Sequence, residues 1–356
     1  MTTARHISGT AVIATAAFLY ACADPTSGPQ RMDSSVRANA VTASATLTPE
    51  QLSGTVAIGV NENGDAVGDD TGAVSTCSAN SLPKLWRADG TVVTLPIGTH
   101  CGAEAVAINN SGEIVGRLFG PAASGGWLPD GSGGYTFQEF EYVSGNLVRV
   151  LGALNNGGEI VGWANNAQMY WRNATTLWTL MAVPVGAAQC QVRRGINNFG
   201  AIVAACSVNG VNGGYMTGYY WANHSANPVA LPRPTATGNL YPTEINDAGV
   251  IVGFQNLPTK AVRWTPNGSG GYTTVEYLPD AGHGGSAYGL ARDGTVSGSV
   301  LKPNGYPIPV LWPASGSYQV LPVIGKPRSA EANDVATSSS GPIAVGYQDS
   351  QALLWK

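Results

Sequence analysis

From about residue 43 onward the chain is a succession of short apolar runs separated by polar clusters rich in Gly, Pro, Asn and Asp. Such punctuation predicts many short strands joined by tight turns. One segment recurs seven times, in the form A-x-x-I-N-x-x-G-x-I-V-G. The copies are AIGVNENGDAVG from Ala57, AVAINNSGEIVG from Ala105, LGALNNGGEIVG from Leu151, RRGINNFGAIVA from Arg193, PTEINDAGVIVG from Pro242 and AYGLARDGTVSG from Ala287. A longer, degenerate copy, ANDVATSSSGPIAVG, starts at Ala332. Anchor positions are Asn61, Asn109, Asn155, Asn197, Asn246, Ala291 and Ala336. Their mean spacing of about 46 residues falls in the range of β-propeller blades.

Each copy reads as a hairpin. Asn or Asp starts the turn by bonding its side chain to the backbone, and the following Gly supplies positive φ. A third strand then carries one Trp per repeat (Trp86, Trp127, Trp171, Trp221, Trp264, Trp312, Trp355), and several copies add a fourth short strand ending in Leu-Pro. A ring of that size at a fixed place in every unit predicts the core between radially packed blades. The chain stops on a third strand, QALLWK, while ASATLTPEQ from Ala43 matches a fourth. The expected fold is therefore an all-β, seven-bladed β-propeller of four-stranded antiparallel blades over residues 43–356. The N-terminal strand would close the ring and leave no open edge.

Composition narrows the function. Aliphatic and aromatic residues make up 44% of 356, enough for a real core, and charged residues only 11%. A net charge of −4 gives no broad basic face for nucleic-acid phosphates, so nucleic acid is not expected as a partner.

The first residues carry an address. Arg5 and His6 precede an apolar stretch from about Thr10 to Ala23, too short to span a bilayer but suited to a secretory signal. Leu19-Tyr20-Ala21-Cys22 resembles a bacterial lipobox, with Cys22 as the lipidated residue. Ala21-Cys22-Ala23 alternatively offers an ordinary A-x-A cleavage site before Asp24. The lipobox division gives a signal peptide over 1–21 and a polar tether over 22–42. Membrane contact would then be through the lipid alone, at the outer membrane; release would give a periplasmic or extracellular protein. A monomer is expected.

The repeat resembles the bacterial extracellular HAF-repeat family, whose units carry GINNxGxIVG followed by a Trp strand. Copies two to five match it best, and the match spans about Leu52 to Lys356. The resemblance implies secretion and a propeller-like fold. It implies no activity, catalytic residue or cofactor.

Beyond Cys22, four cysteines suggest disulfides in an exported chain. Cys101 and Cys190 each precede a first strand, and Cys77 and Cys206 follow second strands. Those loops share one face of an up-and-down blade, which predicts Cys77–Cys101 and Cys190–Cys206. Zinc is not expected, for there is no C-x-x-C, and His100, His224 and His283 are scattered.

Candidate site residues are those that break the small, apolar pattern of the innermost strands: Glu104, Arg193, Arg194, Glu244, Glu331 and Asp334. Together they suggest a polar ring at a channel mouth, able to bind a cation or a ligand amine, or else solvated residues and ion pairs. His100 and His283 read as surface-loop residues. No nucleophile elbow, Walker loop, H-E-x-x-H or EF-hand occurs. Three functions stay open: a binding scaffold for a protein or glycan on the loop face bearing the disulfides; a polysaccharide- or peptide-processing enzyme using the channel carboxyls; and a passive spacer.

Overall fold

A computed structural model describes residues 47–71, 81–119, 123–140, 148–164, 167–171, 179–209 and 212–356. Residues 1–46 lie outside that set, so the expected signal, the expected tether and Cys22 are not described; Leu47–Lys356 forms one compact unit. It contains seven four-stranded antiparallel sheets, the blades of a β-propeller. Their first, innermost strands are Val56–Val60, Gly102–Ile108, Val148–Leu154, Ala187–Gln191, Leu240–Ile245, Gly285–Leu290 and Ala330–Ser338. Blade 7 is completed by the strand Pro49–Gln51, which pairs antiparallel with Gln351–Trp355, Pro49 opposite Trp355. Ring closure by the N-terminal segment is thus observed, beginning at Pro49.

Why the repeated residues form this unit is visible in the packing. The turn glycines Gly64, Gly112, Gly158, Gly200, Gly249 and Gly294 hold φ between 75° and 88°, a region open to Gly. The glycine that ends I-V-G has a different task. A Cβ on Gly68, Gly116, Gly253, Gly298 or Gly346 would lie 2.0–2.1 Å from a carbonyl oxygen of the first strand. At that place the first strand carries a bulge, between Ala57 and Gly59 in blade 1 and at equivalent points in blades 2, 3, 5, 6 and 7. The bulge presses the innermost strand onto its neighbour, and only hydrogen fits between them.

The core lies between blades. Trp127, Trp221, Trp264, Trp312 and Trp355 are fully buried, each in a cluster shared with the preceding blade. The indole N–H then donates to that blade's fourth-strand end: Trp127 to Pro96 O at 2.6 Å, Trp264 to Pro232 O at 2.8 Å, Trp312 to Pro279 O at 2.8 Å and Trp355 to Pro322 O at 2.7 Å. Trp86 reaches Ser53 O, just beyond the ring-closing strand, at 3.2 Å. The Leu-Pro signature is therefore half of a Trp-to-carbonyl latch. Proline suits the position because the latch uses only its carbonyl.

Cys190 and Cys206 form a disulfide as expected, but it does not staple loops. They are directly opposed, buried residues of the first two strands of blade 4, in the core shared with blade 3. Cys101 is also disulfide-bonded; Cys77, its expected partner, lies outside the described residues.

Candidate functional site

Antiparallel blades have two faces. One carries the hairpins from first to second strand, here called the hairpin face. Through the other, the entry face, the chain passes into each first strand.

On the hairpin face the Asn-Asn pairs build two hydrogen-bonded ladders around the central hollow. Each anchor Asn accepts backbone N–H groups of its own turn, as Asn155 Oδ1 does from Gly157 and Glu159 at 3.0 and 2.9 Å. Its Nδ2 then donates to the anchor carbonyl of the next blade: Asn61 to Asn109, Asn109 to Asn155, Asn155 to Asn197, Asn197 to Asn246 and Asn246 to Ala291, at 2.9–3.3 Å. In the second ladder, Glu62 N–H donates to Asn110, Asn110 N–H to Asn156, Asn156 N–H to Asn198 and Asn198 N–H to Asp247, at 2.8–3.0 Å. Turn chemistry alone explains one Asn; the second is needed to join neighbours. A cavity of about 180 Å³, lined by residues of all seven blades, opens between the ladders.

The first ladder lapses at Ala291 and Ala336, and two carboxylates add bonds between blades one step deeper. Glu244 and Asp334, both two residues before their anchors, make the same bond. Glu244 Oε2 accepts Leu290 N–H of blade 6 at 2.8 Å, and Asp334 Oδ2 accepts Val60 N–H of blade 1 at 2.9 Å. Arg194 joins them from blade 4. Its guanidinium bonds Asn333 O at 2.6 Å and Ile58 O, and pairs with Asp334 Oδ1 at 3.1 Å. Arg194 is therefore a crossbar through the channel, tying blade 4 to blades 7 and 1.

Local sequence explains how an arginine gets there. Blade 4 reads I-V-A, so Ala204 stands where the other blades have Gly. The first strand cannot press onto it and breaks after Gln191. Arg194 N–H then donates to Thr243 O of blade 5 at 2.9 Å. Gly195 makes the crossing feasible, since a Cβ there would lie 2.3 Å from Val203 O.

Burial pushes the Glu244 carboxyl well above the usual carboxylate range, and the Asp334 charge adds to this while Arg194 opposes it. Asp334 is also raised by burial, against the pull of Arg194 and two backbone N–H groups. Of the two, Asp334 makes the direct ion pair with Arg194, which favours its charged form over that of Glu244. The protein's own Arg194 guanidinium lies beside these channel carboxyls.

The six candidate residues do not form one ring. Arg194, Glu244 and Asp334 come together; Glu104 pairs instead with Arg117 at 2.5 Å in blade 2, where burial raises its carboxyl and Arg117 lowers it. Arg193 and Glu331 belong to an arc on the entry side of blades 4 to 7. The Arg193 guanidinium lies over Tyr241 at 5.7 Å and Phe254 at 5.5 Å. Phe254 packs against Tyr241 at 5.1 Å and edge-on to Tyr288 at 6.1 Å. Glu331 is hydrogen-bonded to Tyr288 and Tyr347; burial raises its carboxyl and pushes the Tyr288 hydroxyl up to about 12. Tyr241 occupies the same repeat position as Glu104 and Glu331, five before the anchor. The partners Phe254 and Tyr347 come from the second strand and carried no signal in the repeat.

His100 is not a surface residue. Its side chain is 7% exposed, packs on Phe137 at 6.0 Å and meets Glu139 at 3.3 Å. Among the described residues, no group of three or more His, Cys, Asp or Glu could hold a metal ion, and no helix is long and apolar enough to cross a membrane.

No family model matches the sequence, and no curated protein matches it. Solved structures do resemble the fold. A streptogramin B lyase structure aligns with a TM-score of 0.56 at 14% identity, covering 87% of this chain and 97% of that one. YCF48 bound to D1 peptide aligns with a TM-score of 0.55 at 12% identity, covering 88% and 98%. A chain of the mitotic checkpoint complex gives 0.57 at 11%, covering 87% and 93%. At such identities the likeness establishes the β-propeller fold alone.

Proposed function

We propose that the protein is an exported, lipid-tethered β-propeller that serves as an interaction scaffold at the bacterial cell envelope, holding a protein segment on the entry face of blades 4 to 7. The observation that carries this reading is the Arg193–Tyr241–Phe254–Tyr288 cluster, a row of partly exposed rings packed by the guanidinium of Arg193, itself an exposed residue. Val185 (98% exposed), Leu257 (55%), Tyr306 (48%) and Ile324 (41%) stand on loops of the same face. Such apolar exposure favours a binding surface over a passive spacer. A propeller of the same fold, YCF48, has been solved with a peptide bound, which supports the choice of a protein segment over a glycan. The enzyme reading has less behind it: Glu244 and Asp334 are spent on backbone N–H groups of the next blade.

The test is capture from envelope extracts with wild type and a Y241A/F254A double variant. Loss of the captured partner in the variant, at unchanged melting temperature, supports the reading; equal capture refutes it. Metabolic labelling with a fatty-acid analogue, lost in C22S, tests the tether; unlabelled wild type would refute it.

A further inference from the structure

The small net charge of −4 conceals a segregation of charge. Seven of the lysines and arginines with described side chains are in ion pairs with carboxylates. Six are not: Arg87, Arg193, Arg233, Lys302, Lys326 and Arg328. Five of these six, all but Arg87, lie on entry-face segments of blades 4 to 7. Arg233 is spent inside the fold, donating to the carbonyls of Met216, Thr235 and Gly238. Arg193, Lys302, Lys326 and Arg328 make no side-chain hydrogen bond or ion pair with a described residue.

The acids on that face are fewer than its unpaired cations. Asp280 pairs with Lys260 at 2.6 Å, Asp349 accepts the backbone N–H groups of Arg328 and Ser329, and Glu331 is engaged by two tyrosines. Arg193 differs from the three flexible cations. Its guanidinium is held over two rings, so its conformational cost is already met, while its N–H donors are unspent. A planar fork fixed in this way suits a carboxylate, which it can bind through two parallel hydrogen bonds.

Resting on the entry-face reading above, we infer that the partner is an acidic, extended protein segment, one carboxylate of which is clamped by Arg193. Apolar side chains flanking that carboxylate pack on Tyr241 and Phe254, and further acids meet Lys302, Lys326 and Arg328. The exposed Val185 and Leu257 favour a segment that alternates acidic with apolar residues over an acidic polysaccharide, which has no side chain to cover them.

The experiment uses the intact protein and fluorescence anisotropy with a labelled glutamate–tyrosine copolymer. Lysine–tyrosine copolymer, polygalacturonate and polyphosphate serve as comparison probes. The acidic copolymer binds and the basic one does not. R193A weakens binding about tenfold, and R193K does not restore it because a point charge lacks the fork. K302E/K326E/R328E flattens the salt dependence. Melting temperatures of these surface variants stay within a degree of wild type. The inference is overturned if the copolymer fails to bind, if R193A binds as wild type, or if polygalacturonate or polyphosphate binds as tightly through the same residues. Partner capture separates the two readings: loss in Y241A/F254A but not in R193A removes the acidic segment and keeps the face, whereas loss in neither removes both.

Discussion

Arg194 gives the sharpest test of how the ring is held. R194M keeps an unbranched apolar stem and removes the ion pair to Asp334 together with the bonds to Asn333 O and Ile58 O. Removing one partner of a buried pair costs about 3–5 kcal/mol, because the other charge is left without its counterion. For a unit of roughly 310 residues, unfolding entropy near 2.1 cal/mol/K per residue gives about 0.65 kcal/mol/K. A loss of 4 kcal/mol then lowers Tm by about 6 °C. D334N keeps an acceptor for Val60 N–H, and in it Glu244 can give up its proton and take the charge beside Arg194. D334N should therefore cost less than R194M, and the double variant less than the sum, with a coupling of about 2 kcal/mol or more. Differential scanning calorimetry of the four proteins at pH 7 measures this. A Tm drop under 1 °C for R194M, or strict additivity, would refute the crossbar. Should R194M fail to fold, R194K against D334N still reports the coupling.

Three other outcomes follow from the same geometry. The raised Glu244 means the folded state binds more protons than the unfolded state above the ordinary carboxylate value, so wild-type stability falls as pH rises through that window. E244Q can still accept Leu290 N–H and does not titrate; its Tm relative to wild type should climb between pH 4 and pH 8, and a flat difference would count against the assignment. Ala291→Asn restores a rung to the first ladder in a turn that already has the Asn-turn hydrogen bonds, Gly294 N to Ala291 O and Ala291 N to Thr295 O. A gain of about 1 kcal/mol is expected, read as a Tm rise of 1–2 °C, with destabilisation as the contrary result. Replacing both Cys190 and Cys206 by Ser opens a closure of 16 residues and should cost about 3 kcal/mol; unchanged melting under reducing and oxidising conditions would contradict that.

Periodicity carried the architecture because each repeat is one blade, and a blade cannot bury its Trp without a neighbour. The Asn-x-x-Gly turn, the Trp and the absent last strand were all local features of the chain. The second Asn and the I-V-G glycine were visible but not interpretable: one acts across a blade boundary, and the other answers to a bulge that leaves no residue-type mark. Net charge misled in a similar way, since −4 is silent on where unpaired cations gather. Of the odd acids of the inner strands, Glu244 and Asp334 line the channel while Glu104 and Glu331 do not. Their partners were hidden, because which residue faces Glu244 or Glu331 depends on how blades 4, 5, 6 and 7 are rotated about the axis. Arg194 stood out as a charge in the fourth copy, but its crossing of the channel goes with Ala204, an exception to a rule whose meaning only the packing supplies.

Thr48 and Lys356 exchange backbone hydrogen bonds across 308 residues of sequence. A ribosome delivers the first of them long before the second. Until residues 351–355 arrive, Pro49–Gln51 has no strand to lie against and blade 1 has no neighbour on one side. The wheel therefore cannot mature blade by blade as an open stack could; its final stability arrives at once, when the tail is in place. Clipping that tail would expose two sheet edges together and turn a closed molecule into one prone to joining its own kind.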